Sequence, residues 1–470
     1  MRQPEARVQA IPRADLTLPL EVGTPANGGF ADPAFGENKS RRIHRWVPWI
    51  AGFSGEFVAD VCARYLTASG PAQRALVVDP FAGVGTTLIE AYAAGHDVVG
   101  FEINPFASLA ARVKLRSATL SSRHLTALNR ALLECVRDGT RPRVRQEAQL
   151  RLLEGPLVSP PPGFRSRIPF FSPAVQRKVL RAIEFVNGIA EAELRDVFRL
   201  AFGAVMVSLS NYSYEPSLGS RPGAGKPLVE DADVAQVIAT RVAEIAEDTE
   251  WFQRRLHRLG YRPQWQVHET SFFRAGELLA DESVDLVVTS PPYLNNYHYV
   301  RNTRPQLFWL GFVKHSRELR RFEEESFGRF WQTVRDDEPW ELGFDLPELE
   351  RVIAQVRQRN PGRKAYGGPG WANYVVCYFR DCRRFCEVLA RLLRPGGRAV
   401  VVIGNSVIQG VEVKTDALLA AVARQFGLQT EEVMVLREKR VGSSIVGSEV
   451  RQGGKRRIAL YESALVLRKD

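Results

Sequence analysis

The chain has 470 residues, of which 45% are apolar and 25% charged, a globular composition that excludes a largely disordered polymer. At roughly 150 residues per domain, this length allows two or three units, or one core carrying large insertions. Sixty-four Lys and Arg against 53 Asp and Glu leave a formal charge of +11. That surplus favours a polyanionic partner, nucleic acid being the commonest, and carries no information about fold.

Met1 to Leu20 holds Arg2, Glu5, Arg7, Arg13 and Asp15 with no apolar signal-like stretch, and no run approaches the length of a membrane span. A soluble, cytoplasmic protein is therefore expected. Residues 1–40 read as a loose arm rich in Pro, Gly and Ala. From residue 41 the texture changes. Arg74 to Asp79 is a β-branched run ending at Pro80 and a Gly-rich turn, Thr86 to Ala94 reads as a helix, and Asp97 to Glu102 reads as a second strand. This β–loop–α–β unit belongs to a parallel, doubly wound sheet. Residues 41–114 would form the first part of that α/β core.

Residues 115–262 read as a mostly helical insertion, with amphipathic stretches at 124–137, 174–187, 194–209 and 233–256. Pro/Gly-rich breaks lie at Ser159 to Gly163 and Gly219 to Lys226. The core resumes over 263–300 with strands at 265–269 and 284–289. A basic, aromatic insertion fills 301–370. The core closes over 371–470 with a helix at 374–393, a turn at Arg394-Pro-Gly-Gly397, a strand at 399–403, a helix at 415–426 and strands at 432–436 and 458–467. The expected architecture is one α/β sheet domain, Rossmann-like and mostly parallel, interrupted twice.

Asp79-Pro-Phe-Ala-Gly-Val-Gly-Thr-Thr87 sits where the first strand hands over to its helix. Gly83 and Gly85 permit close approach of backbone to a ligand. Leu88 stands where a dinucleotide fingerprint wants its third glycine, and no Gly-Lys-Ser/Thr of a P-loop follows. Glu102, 23 residues after Asp79, is placed to accept from ribose hydroxyls. The loop resembles the S-adenosylmethionine-binding motif of the amino-methylating DNA methyltransferases, and Gly100-Phe-Glu-Ile-Asn-Pro105 is similar to their second motif. The resemblance implies S-adenosylmethionine as cofactor, held by Asp79, Pro80, Phe81, Gly83, Gly85, Thr86 and Glu102. Within that set Phe81, Gly83 and Gly85 would line its methionine end and Glu102 would hold its ribose. Arg41 to Leu66 stands where the family often has a further cofactor-contacting helix, but no residue carries over from it.

Asp285 to Thr289 delivers Ser290-Pro-Pro-Tyr293 at a strand's carboxyl end, where open α/β sheets place their ligands. Two prolines stiffen the turn and remove two N–H donors, leaving carbonyl acceptors. Ser290 Oγ and the Pro291 carbonyl can accept from an exocyclic amine, and Tyr293 can stack on a base. Ser290, Pro291, Pro292 and Tyr293 resemble the catalytic motif of the same methyltransferases. A first-position Ser is associated with N4-cytosine enzymes, and Asp or Asn with N6-adenine enzymes. Glu269, at the end of the third strand, occupies the place of the family's adenine-pocket motif without its Gly-Asp. Ile403-Gly-Asn-Ser406 follows the fifth strand and would support the site.

A base inside a duplex cannot present its amine to a pocket, so such an enzyme must flip the base or act on single strands, and double-stranded DNA is the expected partner. Three cationic segments compete for its recognition: Arg141, Arg143, Arg145, Arg165 and Arg167; Arg301, Arg304, Arg317, Arg320 and Arg321 among aromatics; and Arg437 to Arg457. Charge runs are also commonly no more than solvated surface. The resemblance further implies a restriction-modification or defence setting with a cognate restriction endonuclease as partner. Alternatives are an N6-adenine DNA enzyme, an RNA base-amine methyltransferase, and an inactive nucleic-acid-binding subunit. Cys377, Cys382 and Cys386 lie on one helix without a fourth ligand and read as buried small hydrophobes. The odd total of five Cys argues against a disulfide framework, and no metal site is expected. Glu412-Val-Lys414 has a nuclease-like spacing without a partner acid.

Overall fold

The computed structural model describes residues 30–470 apart from 32, 34, 50–51, 67–69, 71–72, 139–158, 215–217, 295–297, 335, 360–369 and 440–457. Most of the expected N-terminal arm, Arg141, Arg143 and Arg145, and the loop carrying Lys455 to Arg457 lie outside these residues.

Seven apolar runs pair into one sheet: β1 (Leu76–Asp79), β2 (Asp97–Phe101), β3 (Trp265–His268), β4 (Val284–Thr289), β5 (Leu393–Gly404), β6 (Leu428–Lys439) and β7 (Leu460–Lys469). Their spatial order is β6-β7-β5-β4-β1-β2-β3. Only β7 runs against its neighbours β5 and β6; the pairs among β1 to β5 are parallel. The chain travels outward from β1 to β2 and β3, then returns to the other side of β1 for β4 and β5. The gap between β1 and β4 is therefore the topological switch point, where such sheets hold their ligands. This is a Rossmann-like, doubly wound and mostly parallel α/β fold, as the sequence predicts.

The period of two along each strand divides the core. Val77, Val98, Leu286, Val288, Val400 and Val402 face one cluster, while Val78, Val99, Val287, Val401 and Ile403 face another. Parallel strands covered on both faces read as continuous apolar runs for this reason. Against the first face pack α1 (Gly55–Tyr65), α2 (Thr86–Ala93), α3 (Pro105–Arg116), α4 (Ser122–Asp138), α5 (Pro173–Gly188), α6 (Ala192–Val205) and α7 (Val234–His257). The helical insertion thus shares one core with the sheet. The helix expected to reach Leu209 stops at Val205, where the Ser208 and Ser210 hydroxyls donate to the Val205 and Val207 carbonyls and draw the chain into a turn.

α8 (Tyr299–Trp309), α9 (Leu319–Glu325) and α10 (Pro347–Arg359) come from the second insertion, and α11 (Gly370–Leu392) and α12 (Thr415–Arg424) complete the second face. The turn expected at Arg394 to Gly397 is absorbed into β5, at the cost of a register shift against β4 and a left-handed Gly396 at φ +76°. Cys377, Cys382 and Cys386 are buried and free in α11, and burial raises all three thiols above their ordinary range. None of the helices among the described residues is long and apolar enough to cross a membrane.

Candidate active site

The loop after β1 is held in a fixed shape from below. Asp79 ends the strand fully buried, and its Oδ1 accepts from the Phe81 N–H at 3.1 Å and from Thr289 Oγ1 at 2.7 Å. Thr289 is the last residue of β4, next to Ser290, so this one hydroxyl ties the cofactor loop to the catalytic turn. Burial pushes the Asp79 carboxyl up to about 6. Gly85 adopts φ +84° as the residue that opens α2, and a Cβ there would stand 3.0 Å from that of Ala111. It packs the loop onto α3 and does not wall the crevice. Thr86 is the buried first residue of α2.

Above this base lies a crevice at the carboxyl ends of β1 to β4. It contains about 940 Å³ of empty space, its open mouth included. Pro80, Phe81 and Gly83 line it from β1, Glu102 and Ile103 from β2, and Ser290 and Pro292 from β4. Glu102 is organised as an acceptor: Oε2 takes the Gly83 N–H at 2.8 Å and Oε1 the Asn104 N–H at 2.7 Å. Each oxygen keeps a second lone pair, the arrangement that suits a vicinal diol. Burial pushes this carboxyl up to about 7, with the nearby Asp79 adding to the shift.

Asn104 caps α3 by accepting from Phe106 N, with Pro105 in the first helical turn, and donates from Nδ2 to Thr303 of α8. This pairing of cap and proline starts a helix immediately after the acidic residue. It also fastens the second insertion to the cofactor half of the site.

Trp49 is a crevice residue that the sequence motifs do not reveal. A Cβ on Gly83 would come 3.3 Å from Trp49 Nε1, so glycine keeps the floor open beneath the indole. Trp49 reaches this place because the residues before it are nailed down. Asp248 of α7, fully buried, accepts from Ile43 N, Trp46 Nε1 and the Arg45 guanidinium at 2.8–3.0 Å. His44 lies 2.8 Å from Glu90 of α2, and burial holds its imidazole pKa below the ordinary value. The sequence signal for Trp49 is only an aromatic in a cation-rich run, which has no period to read.

Glu269 turns away from the crevice and pairs with Arg112 at 3.3 Å. The residues after it, Thr270 to Phe273, line the crevice instead. The Ser271 side chain accepts from Phe273 N and turns the chain, burying Phe272 against Phe101. The carboxylate expected at an adenine pocket is thereby replaced by a hydroxyl and two aromatic rings.

At the end of β4, Ser290 and Pro292 face the crevice while Pro291 is buried beneath them. The Pro292 carbonyl accepts from the Tyr378 hydroxyl at 3.0 Å. Tyr293 packs on Gly404, where a Cβ would be 3.5 Å from its ring. Its hydroxyl is engaged with Ser290 and with Glu462 of β7, and burial followed by the Glu462 charge raises its pKa well above the ordinary value. Asn405 accepts from Tyr461 N and donates to Glu412 and to the Ala459 carbonyl. Ile403 to Ser406 and the Glu412 triplet therefore brace the sheet end beside the turn.

These residues fit S-adenosylmethionine. A carboxylate with spare lone pairs faces an open glycine floor, and rings of Trp49, Phe81, Phe272 and Phe273 surround it. Fold and site are those that the two motifs lead one to expect of an S-adenosylmethionine-binding α/β protein. Among curated proteins, the chain is similar to the type II methyltransferase M.BsoBI of Geobacillus stearothermophilus, at 24% identity over 92% of this chain and 86% of that one. It is similar to M.AvaI of Nostoc sp. at 23% identity, covering 86% and 82%, and to M.MvaI of Kocuria varians at 22%, covering 74% of each. The resemblance to the DNA methyltransferases that the two motifs carry is thus borne out across most of the chain. No family model matches. The solved rRNA methyltransferase aviRa from Streptomyces viridochromogenes aligns over 90% of the chain with a TM-score of 0.29 and 11% identity, too loose a match to bear on the argument.

Proposed function

We propose that the protein methylates the exocyclic amine of a base flipped out of double-stranded DNA, with cytosine N4 as the acceptor and S-adenosylmethionine as the donor. The observation that carries this reading is the placement of Ser290 and Pro292 in the same crevice as Glu102, linked by the Thr289–Asp79 hydrogen bond. The bound cofactor supplies an electrophilic methyl carbon. Ser290 Oγ and the Pro291 carbonyl accept from the amine and aim its lone pair along the crevice. Transfer would form the nitrogen–carbon bond as the donor's carbon–sulfur bond breaks, with the amine proton passing to solvent. No strong base is needed, and orientation supplies most of the rate gain. A Ser in the first position favours cytosine over adenine by family association. Tyr293, held by Ser290 and Glu462, is the stacking surface for the base.

The names of the relatives support a DNA substrate and a restriction-modification setting. The two insertions meet: Arg304 donates to the Arg165 carbonyl, its guanidinium lies over Phe164 and Phe308, and Ser316 Oγ reaches the Gly163 carbonyl. Arg165, Arg167, Arg301, Arg317, Arg320 and Arg321 are exposed around that junction, a surface suited to phosphates and base edges. We assign target recognition to this junction.

The test incubates purified protein with labelled S-adenosylmethionine and separate DNA and RNA pools, then identifies methylated nucleosides by mass. Label at deoxycytidine N4 is the expected result. Label at deoxyadenosine N6 would keep the site and change the base. Label confined to RNA, or none despite cofactor binding, would overturn the reading.

A further inference from the structure

We propose that the second insertion, besides facing DNA, completes the cofactor site through Phe327, and that Tyr378 of the core helix α11 sets the catalytic turn. This inference rests on the crevice being the S-adenosylmethionine site.

Ser326 and Phe327, just past the end of α9, line the crevice. Phe327 is 5% exposed. Its ring stands edge-on to Phe81 of the cofactor loop, 5.2 Å between centroids, and edge-on to Tyr378 of α11 at 5.3 Å. The Tyr378 hydroxyl in turn donates to the Pro292 carbonyl. Two aromatic contacts and one hydrogen bond therefore join the cofactor loop, the insertion and the catalytic turn.

The backbone is built to hold Phe327 there. Gly328 takes φ +70° and donates its N–H to Asp381 at 2.7 Å, and a Cβ on it would lie 2.5 Å from the Tyr378 ring. Arg329 follows at φ +50°, a conformation that a non-glycine residue keeps only when its surroundings impose it. Trp331 then stacks on Trp371 of α11, with centroids 4.7 Å apart and planes 20° from parallel. A residue that reads base edges must reach the DNA, whereas Phe327 is buried against the motif phenylalanine. The exposed arginines at 317, 320 and 321 precede this segment, with Arg320 paired to Glu324 at the surface.

Tyr378 acts through the turn. Two prolines leave their carbonyls as the local acceptors, and Tyr378 occupies that of Pro292. The substrate amine is then offered Ser290 and the Pro291 carbonyl, which fixes the direction of its lone pair. Tyr378 is in this sense a positioning residue.

The experiment measures S-adenosylmethionine binding calorimetrically without nucleic acid, DNA binding by anisotropy, and kcat at saturation. Phe327→Ala should weaken cofactor binding about tenfold or more, as loss of a buried aromatic wall does, with DNA affinity unchanged. Phe327→Leu keeps the apolar bulk and should fall between it and the wild type, which covers the case in which the alanine variant does not fold. Tyr378→Phe should leave the cofactor Kd within about twofold and lower kcat about tenfold, the scale of one lost hydrogen bond. Cofactor affinity unchanged in both Phe327 variants, or kcat unchanged in Tyr378→Phe, would overturn the corresponding half. A wild-type protein that binds no S-adenosylmethionine would instead overturn the reading of the crevice.

Discussion

Glu102 carries the most chemistry per atom in the crevice. Its carboxyl is pushed up to about 7 from an ordinary 4.5, because burial opposes the charge more strongly than the backbone N–H groups of Asn104, Gly83 and Ile103 support it. The consequence for stability has a definite sign. A carboxyl whose folded pKa is raised contributes most below about 4.5, and that contribution is lost as pH climbs through about 7. Ribose hydroxyls donate more strongly to the ionised form, in which both oxygens accept, whereas the protonated form keeps one acceptor and turns its other oxygen into a donor. Cofactor affinity should therefore rise between pH 5.5 and 8, by at most about tenfold per unit below pH 7 if this group alone titrates. Calorimetric titrations across that range check the trend. Glu102→Gln should flatten the profile and weaken binding about tenfold or more at pH 8, the scale of a lost charge-assisted hydrogen bond. A profile that stays steep in the variant would remove Glu102 from this role.

At the scale of elements, the positions that matter are junctions. Gly85 joins the cofactor loop to α2 in the left-handed region, where a Cβ would stand 3.0 Å from that of Ala111. Gly85→Ala should cost about 1–2 kcal/mol from the backbone alone, with further loss from the clash, read as a lower denaturant midpoint at unchanged slope. The segment from Ile43 to Trp49 is held onto α7 by Asp248, whose carboxylate gathers backbone, indole and guanidinium donors inside the protein. Removing it leaves the buried Ile43 N–H and Trp46 indole N–H without an acceptor and Arg45 with Glu247 alone, so Asp248→Ala should destabilise by about 2–5 kcal/mol, the scale of two buried unsatisfied donors. Because the same segment carries Trp49, that variant should also bind S-adenosylmethionine more weakly under conditions where it remains folded. Equal cofactor affinity in folded Asp248→Ala would separate the anchor from the site.

On the scale of the whole molecule, the crevice sits where the chain reverses direction across the sheet, and the two insertions meet beyond it with exposed arginines. The charge of +11 bears on association more than on fold. If about six phosphates are neutralised, DNA affinity should fall about a thousandfold between 50 and 200 mM salt, while cofactor affinity stays nearly constant. Anisotropy titrations at three salt concentrations check this. Loss of the slope in a variant lacking Arg317, Arg320 and Arg321 would locate the contacts in the second insertion, and an unchanged slope would move them elsewhere.

The strands were readable because parallel strands buried on both faces must be continuous apolar runs: Val284–Thr289 appears in the structure with the bounds its sequence predicts. The two motifs were readable for a related reason. Glycine at a left-handed turn, a carboxylate at a strand end and consecutive prolines each satisfy a local backbone demand. Tertiary structure alone decided what came from far along the chain. Trp49 reaches the crevice through contacts with Asp248, some two hundred residues away in sequence, and Phe327 meets Phe81 across an even longer span. Glu269 lies at the position local reasoning would choose, yet Arg112 of α3 draws it aside and Ser271 turns the aromatics inward. Local sequence encodes backbone geometry and the period of burial, and by itself it determined the sheet, its cofactor loop and its catalytic turn. The partners of each side chain depend on which helices pack above them, and that was settled only when the helical segment closed over one face of the sheet and the second insertion over the crevice.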